Sequence, residues 1–392
     1  MRNETRLIWL LFIIMLLKGA LWSLAFPLWQ GPDEDDHYAV IQFIGELGRL
    51  PAEGDELLPD EITLSRQIAD VGRLDYDPTQ RQAFGQTSLG PNESQFDQLP
   101  RESRASFALG NVGKLMHATP LYYMGAAVVY RLFDEGNLLW RVQIQRFLAV
   151  LVGAPLVWVA YLTTRELFPA ARPSHHALRL TIPTLVAFHP LMSEITAVVS
   201  ADGLLILAYS LLIYQSILVL KHGLTRKLAI AIAITFVVGN LTKPTLNGYV
   251  PLVALLVGYD WWRTRSKTVI TTSLLMNALI IPPMLWWMQR SLRLNDDLFY
   301  FNPILKGHRI LQNPFYDYTI WNHAVDFYQS IWGGMLVTWW GHFGWLDTPL
   351  APWVYDGLRW LTVAAVVGLV VGLFRRKGAE GQRGEEQRSI HN

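Results

Sequence analysis

The sequence predicts an all-α protein whose helices cross a membrane several times. Hydrophobic residues make up 51% of the 392 residues and charged residues only 17%, against about 25% in an average soluble protein. The apolar residues fall in blocks of about 20, which is the length that a helix needs to cross a bilayer. The chain also has 16 tryptophans, a residue that suits membrane–water interfaces.

Composition also excludes several classes of function. Lysine and arginine total 33, and aspartate and glutamate total 32, so the net charge is +1. That balance excludes a nucleic-acid-binding protein that works by bulk electrostatics. Because the chain has no cysteine, it has no disulfide framework, thiolate nucleophile or Cys-ligated metal.

Eight apolar blocks are predicted to be membrane spans. The first runs from Leu7 to Leu28 and contains Lys18, which we expect to face protein or a polar cavity rather than lipid. The other seven cover residues 147–165, 180–199, 203–220, 228–242, 245–262, 268–288 and 356–374. The chain therefore reads as a single transmembrane domain, residues 1–374, followed by a polar tail, residues 375–392.

The positive-inside rule orients these spans. With eight spans and a cytoplasmic N-terminus, every short basic cluster falls on the cytoplasmic side, and so does the C-terminal tail. Two large loops, about 30–146 and about 289–353, then lie outside. The basic clusters are Arg2/Arg6, Arg165/Arg172/Arg179, Lys221/Arg226/Lys227, Arg263/Arg265/Lys267 and Arg375/Arg376/Lys377.

One apolar stretch, His117 to Phe133, is barely long enough to cross a bilayer. Counting it as a span would invert every later loop and move three basic clusters outside. We therefore predict a juxtamembrane helix at the outer interface, where Tyr122, Tyr123 and Tyr130 would suit the headgroup layer. A re-entrant or tilted span is the alternative.

A polar box follows the first span, with the sequence Gly-Pro-Asp-Glu-Asp-Asp-His-Tyr at residues 31–38. Pro32 suits a first helical position, and acidic residues in a first turn interact favourably with the helix dipole. Four successive carboxylates nevertheless repel one another. On a helix, Asp33 and His37 are i,i+4 neighbours, and such a pair can act as a general base or hold a divalent ion. Both interpretations stay open.

The box Pro-Asp-Glu-x-x-His at residues 32–37 resembles that of a bacterial membrane-protein family of unknown function, related to the GT-C glycosyltransferases. The resemblance covers most of the chain in order, although the His-Pro-Pro spacing typical of the superfamily is broken here. The other matching pieces are His117–Tyr123, Arg141–Arg146, His189-Pro190 through Gly203, Lys243-Pro244 and Gly341–Thr348.

This resemblance implies a GT-C-like fold in a bacterial inner membrane. It also implies transfer of a sugar from a polyprenyl-phosphate-linked donor to a glycan, lipid or protein acceptor on the outer face, with inversion at the anomeric carbon. Asp33 would be the general base. Glu34 would be the second candidate, either as the base or as a partner that holds the acceptor, and His37 would orient Asp33 or join a metal site. Asp33 and Glu34 are also the candidate ligands of a divalent metal, Mg or Mn.

The leaving lipid phosphate needs cationic partners. Lys243, near the outer membrane face, would neutralise this phosphate, and Asp202 would approach the same centre from a hairpin between spans. The structural alternatives are that Asp202 caps a helix and that Lys243 is an interfacial lysine without a substrate-binding role. The further substrate-binding candidates are His117, Tyr122, Arg290, Arg293 and Arg309. Arg141 and Arg146 are further candidates for binding the phosphate, and their default role is to anchor the start of a helix at the interface.

Two other functions compete with the transferase. A transporter or flippase for lipid-linked glycans would be expected to show repeats and binding groups at the bilayer midplane. A non-catalytic assembly protein would use the same scaffold. The polar groups gather outside the membrane, which favours an enzyme, and we predict that Asp33, Asp202 and a cationic residue line one outward cavity that opens to lipid.

Overall fold

The protein is described as a computed structural model that covers residues 2–69, 94–169, 173–296, 298, 333–344 and 348–390. Most of these residues are helical. The sheet among them consists of two antiparallel strands of two residues each, in which His342 lies opposite Pro349. The elements in order are α1 (Arg2–Ala25), α2 (Glu34–Leu47), α3 (Asp60–Ile68), a 3-10 turn (Arg101–Arg104), α4 (Leu121–Leu132), α5 (Leu138–Gly153), α6 (Leu156–Leu167), α7 (Pro173–Phe188), α8 (Pro190–Ile195), α9 (Asp202–His222), α10 (Arg226–Thr242), a 3-10 turn (Pro244–Tyr249), α11 (Val250–Thr264), α12 (Lys267–Asn295), α13 (Gly333–Gly341), β1 (His342–Phe343), β2 (Thr348–Pro349) and α14 (Pro352–Ile390).

Five segments among the described residues are long and apolar enough to cross a membrane, so the chain is an all-α, multi-pass membrane protein. They are Glu4–Ala25, Leu138–Leu167, Asp202–His222, Lys267–Asn295 and Pro352–Gly372. The other three predicted spans correspond to the α7–α8 region, α10 and α11. Here α7, α10 and α11 have 16, 17 and 15 residues. At 1.5 Å per residue they reach roughly 22–26 Å, somewhat short of a 30 Å hydrocarbon core.

Lys18, the charged residue inside the first span, contacts protein as predicted. Its ammonium donates to the carbonyl of Ala187 at the end of α7 and lies 5.6 Å from the centre of the Phe188 ring. Both contacts are with protein groups that stabilise a cation.

Helix α4 is too short to cross a bilayer, because its 12 residues extend only about 18 Å. This agrees with a juxtamembrane position. The expectation that its tyrosines face the headgroup layer is wrong, since Tyr122, Tyr123 and Tyr130 are all buried. They pack against α2 and form part of a core that fixes the first outer loop.

The described parts of that loop, residues 30–69 and 94–146, form a folded unit. Its core contains Trp29, Phe43, Ile62 and Met116, each at most 2% exposed, and includes residues of α2, α3, α4 and α5. A buried ion pair joins α3 to α5, because Arg141 donates to both carboxylate oxygens of Glu61 at 2.5 and 3.1 Å. The acidic box therefore lies on a rigid support.

Helices α2 and α4 pack tightly at Gly45, and this contact gives a stability prediction. A Cβ at this position would lie 2.4 Å from the Tyr130 ring, whose hydroxyl is held by Glu46 at 2.6 Å. Gly45→Ala should therefore lower the free energy of unfolding by about 1–3 kcal/mol, measured by thermal unfolding in detergent. Gly125→Ala is the matched control, because nothing lies within 4 Å of its Cβ. Equal stability of the two variants would contradict this packing.

The last helix extends past the predicted span 356–374. Its backbone runs from Pro352 to Ile390, so the polar tail continues the helix through most of its length.

Candidate functional site

The turn between the first span and α2 has an uncommon backbone conformation. Trp29 and Asp33 both have positive φ, at 60° and 52°, a region that bulky residues rarely adopt. Trp29 is fully buried and its indole N–H donates to Ser65 Oγ at 2.9 Å. Packing therefore fixes this turn. As a consequence α2 begins at Glu34 rather than at Pro32, and the prediction of Pro32 as the first helical residue is wrong.

Glu34 is enclosed by a buried ion pair. Both of its oxygens accept from the Arg146 guanidinium, at 2.7 and 2.6 Å, and one also accepts from the Val199 backbone N–H at 3.0 Å. Arg146 also donates to the carbonyls of Ser23, Phe26 and Pro27. This geometry leaves Glu34 poorly placed to take a proton from a substrate, and it anchors the end of α1 to α2 and α5.

The next two carboxylates of the box are buried as well. Asp35 pairs with Arg66, and Asp36 accepts from the Lys114 backbone N–H at 3.0 Å. Burial, reinforced by the neighbouring Asp35 carboxylate, raises the pKa of Asp36 to about 7. The repulsion expected among four successive carboxylates is thus relieved by separate cationic partners and by a raised pKa.

Asp33 differs from its three neighbours in exposure. Its side chain is 44% exposed, and its nearest cation is the Lys114 ammonium at 3.4 Å, itself 35% exposed. It is the carboxylate of the box that a substrate can reach.

His37 lies one turn into α2 and is buried. Its Nδ1 is 2.7 Å from the Tyr123 hydroxyl, and the two rings stack at 5.8 Å. Burial lowers the pKa of His37 to about 4, although Asp202 and Asp33 favour its protonation. A neutral imidazole therefore lies beside these carboxylates at neutral pH.

Asp202 and Lys243 complete the arrangement, with the ammonium 2.7 Å from the carboxylate. Asp202 does not act as a capping side chain, and its carboxylate pairs with Lys243 across the gap from α9 to the end of α10. The charges of Asp202 and Asp33 raise the pKa of His37 and that of Lys243 lowers it, so all three act on one imidazole. We call Asp33, His37, Lys114, Asp202 and Lys243 the outer cluster, after the side of the membrane to which the topology predicted from the sequence assigns them.

The remaining predicted binding residues are distributed around this cluster. His117 bonds through its two ring nitrogens with Asn295 Oδ1 at 2.9 Å and with the Ala52 carbonyl at 3.1 Å. Tyr122 is buried, with its hydroxyl close to the Ser200 backbone. Arg290 donates to the Pro51 carbonyl. These three residues join α12, α4 and the outer loop.

Two further candidates do not join the cluster in the described structure. Arg293 is exposed on α12, and we find no ion pair for it with any residue that the structure describes. Arg309 lies outside the described residues, as do Trp345, Leu346 and Asp347 of the closing motif.

Sequence reasoning missed two members of the site. Lys114 was hidden in an outer loop where, from Gln30 to Lys114, acidic residues outnumber basic ones by 16 to 7; that imbalance could have marked a lone lysine as a counter-ion. Tyr123 was assigned to the membrane interface. Arg141 and Arg146 had been considered as phosphate ligands, but their guanidinium groups are buried against Glu61 and Glu34.

The residues do not fit a metal site built on Asp33 and Glu34. Both Glu34 oxygens are occupied by Arg146, and Asp33 faces an ammonium rather than a second free carboxylate. Within the described ranges, no three His, Asp or Glu side chains are grouped as metal ligands.

Asp36 gives a pH prediction. Its pKa is raised from about 3.9 in an unfolded chain to about 7, so its stabilising contribution is complete below about pH 4 and is lost as the pH rises through 7. The lowered pKa of His37 acts oppositely, since its contribution is present above about pH 6.5 and is lost as the pH falls through 4.

Asp36→Asn should therefore gain stability relative to wild type as the pH rises from 4 to 8, by at most about 4 kcal/mol. Its amide oxygen still accepts from the Lys114 N–H. The measurement is thermal unfolding in detergent at a series of pH values. A difference between variant and wild type that does not change with pH would contradict the burial of this charge.

Comparison with known proteins gives the family. No curated protein and no solved structure matches this sequence. The family described as "Predicted membrane protein (DUF2142)" matches residues 16–383, which include every candidate residue above. The chain is therefore a member of the DUF2142 family of predicted membrane proteins.

Proposed function

We propose that this protein is a GT-C-like glycosyltransferase of a bacterial cytoplasmic membrane. In this proposal eight helices span the bilayer, both termini lie in the cytoplasm, and the outer cluster faces outward. A polyprenyl-phosphate-linked sugar is the donor, and a glycan, lipid or protein on the outer face is the acceptor.

One observation carries the proposal. Asp33 and Asp202 are 169 positions apart in the sequence, yet each pairs with a lysine and both act on the same buried imidazole. Partly exposed carboxylates and ammonium groups that converge in this way are typical of an active site. A purely structural ion pair, such as Glu34 with Arg146, is instead fully enclosed.

The cluster can perform the proposed reaction with its own groups. The acceptor hydroxyl oxygen forms a bond to the anomeric carbon, the bond from that carbon to the donor phosphate oxygen breaks, and the hydroxyl proton passes to Asp33. Attack opposite the leaving phosphate inverts the anomeric centre. Lys243 and Lys114 stabilise the negative charge that develops on the phosphate.

His37 has a positioning role in this scheme. Because burial keeps its pKa low, the ring of His37 adds no positive charge beside Asp33 at neutral pH. Tyr123 fixes the ring through one hydrogen bond and a stacking contact.

A transporter or flippase and a non-catalytic assembly protein are the competing functions. The partly exposed charges lie in one cluster at the ends of α9 and α10. This position favours catalysis at a membrane surface over transport of a substrate bound at the bilayer midplane. The test is transfer of a radiolabelled sugar from a polyprenyl phosphate by the purified protein. Donor binding without transfer to any acceptor class would favour a competing function.

The absence of cysteine allows a clean test of the topology. Single cysteines at Asn111 and Lys227, both polar loop or helix-end positions, should be labelled differently by a membrane-impermeant maleimide in intact cells. We expect labelling at position 111 without lysis and at position 227 only after lysis. The reverse pattern would place the outer cluster in the cytoplasm and end the proposal.

A further inference from the structure

One face of α12 carries three different surfaces in succession. Residues spaced three or four apart share a helix face, and this spacing links Ser273, Asn277 and Ile280 to Trp287, Ser291 and Asn295. The first three line a cleft, the next two are buried polar side chains, and the last reaches the outer loop.

The cleft lies between α10, α11 and α12 and has a volume of about 420 Å³, within the range of small-molecule sites. It is lined mainly by apolar side chains, including Phe236, Val253 and Met276. Ala254 and Gly258, small and exposed, form its α11 wall. Such a cleft suits one hydrocarbon chain that enters from the bilayer.

The two buried polar side chains lie above this cleft along α12. Trp287 is 2% exposed and Ser291 is fully buried, and among the residues that the structure describes neither the indole N–H nor the hydroxyl has a hydrogen-bond partner. A buried donor left unpaired costs about 1–3 kcal/mol, so two of them one turn apart indicate an acceptor that is supplied from outside the chain.

The position of this donor pair is set by contacts at the top of the helix. Asn295 Oδ1 lies 2.9 Å from His117 Nδ1, and the nearby Thr119 hydroxyl donates to the Thr242 carbonyl at 2.7 Å, next to Lys243. Trp287 is about 10 Å along the helix from Ile280 and about 12 Å from Asn295. The donors therefore lie between the apolar cleft and the outer cluster.

We propose that this face of α12 binds a single-chain polyprenyl phosphate. Its chain lies in the cleft, and Trp287 and Ser291 donate hydrogen bonds to oxygens of its phosphate end. The ammonium groups of the outer cluster complement the charge of that phosphate. This inference deepens the proposed function by assigning the site of its lipid donor, and it rests on that function for the identity of the lipid.

The experiment uses the full-length protein in nanodiscs and a polyprenyl monophosphate that carries a photoreactive diazirine in its chain. We expect cross-links to peptides of α11 and α12. Ser291→Ala removes one donor at nearly constant size, and Trp287→Phe removes the other while keeping an aromatic ring of smaller size. Each should weaken binding about tenfold. Trp286→Phe is the matched control, because its side chain is 46% exposed and belongs to a different helix face.

A second pair of variants tests the cleft itself. A Cβ at Gly258 or at Gly368 meets nothing within 4 Å, so both positions tolerate a larger side chain. Gly258→Leu should fill the cleft and abolish the cross-links, whereas Gly368→Leu, on α14, should leave them unchanged. Unchanged affinity in Trp287→Phe and Ser291→Ala, or retained cross-links in Gly258→Leu, would overturn the inference.

The outcomes separate the lipid site from the proposed function. Equal competition by diacyl phosphatidylglycerol would mean that the face holds ordinary lipid, and the inference would fail. Normal polyprenyl-phosphate binding with no sugar transfer would overturn the proposed function and leave the lipid site standing. If sugar transfer depends on Asp33 but the α12 variants leave the KM for the donor unchanged, the lipid site would be overturned and the proposed function would stand.

Discussion

Asp33→Asn is expected to reduce sugar transfer by a factor of about 10²–10⁴, which is the usual contribution of a general base. The amide keeps the size of the carboxylate but cannot accept the acceptor's proton. Donor binding should persist, because the lysines of the outer cluster remain. The measurement is kcat for transfer, together with the affinity for the polyprenyl-phosphate donor.

The backbone at Asp33 makes this variant informative. Asp33 has φ 52°, and asparagine tolerates this left-handed region as well as aspartate does, so the substitution should not strain the turn. Asp296→Asn is the matched control, since Asp296 has φ 50° and ends α12 on the same side of the membrane in our topology. It loses the same charge in the same backbone conformation.

Two results would contradict the assignment of Asp33 as the general base. Full activity of Asp33→Asn would move the base elsewhere in the outer cluster, with Asp202 the next carboxylate. Equal losses in Asp33→Asn and Asp296→Asn would indicate a general effect of negative charge on the outer surface rather than proton transfer.

The sequence predicted the general architecture because hydropathy and loop charge are strong signals in membrane proteins. Each predicted apolar block coincides with helix, and five segments among the described residues are long and apolar enough to cross a membrane. The short α4 agrees with a juxtamembrane segment. Three of the helices at the predicted spans are only 15–17 residues long, because proline and polar residues end them early. Length therefore had to be seen in the structure.

The site was predictable in most of its members, although Lys114 and Tyr123 were missed, and it was not predictable in its pairing. Spacing made Asp33 and His37 neighbours on one helix face, and the resemblance to the GT-C-related family singled out Glu34, Asp202 and Lys243. The sequence did not show that Glu34 is enclosed by Arg146 while Asp33 stays exposed. That difference depends on a contact between residues more than 100 positions apart in the chain. The left-handed backbone conformation of Asp33 could not be predicted from the sequence either.

Glu34→Gln is expected to lower the free energy of unfolding by about 3–5 kcal/mol, because it leaves the buried Arg146 guanidinium without its anion. Unfolding in detergent, followed by temperature, measures this loss. Glu46→Gln is the matched control, since Glu46 is only half-buried and its amide oxygen would still accept from the Tyr130 hydroxyl. The double variant Glu34→Leu with Arg146→Met should recover part of the stability by removing both charges.

This prediction also separates support from catalysis within one acidic box. If Glu34 is structural, transfer by Glu34→Gln should fall only as far as the folded fraction falls, and kcat per folded molecule should stay close to wild type. Asp33→Asn should show the reverse, with normal unfolding and a collapsed kcat. If Glu34→Gln instead folds normally and loses kcat, Glu34 would be the general base and Asp33 would not. Glu34 would then have to release Arg146 before it reacts.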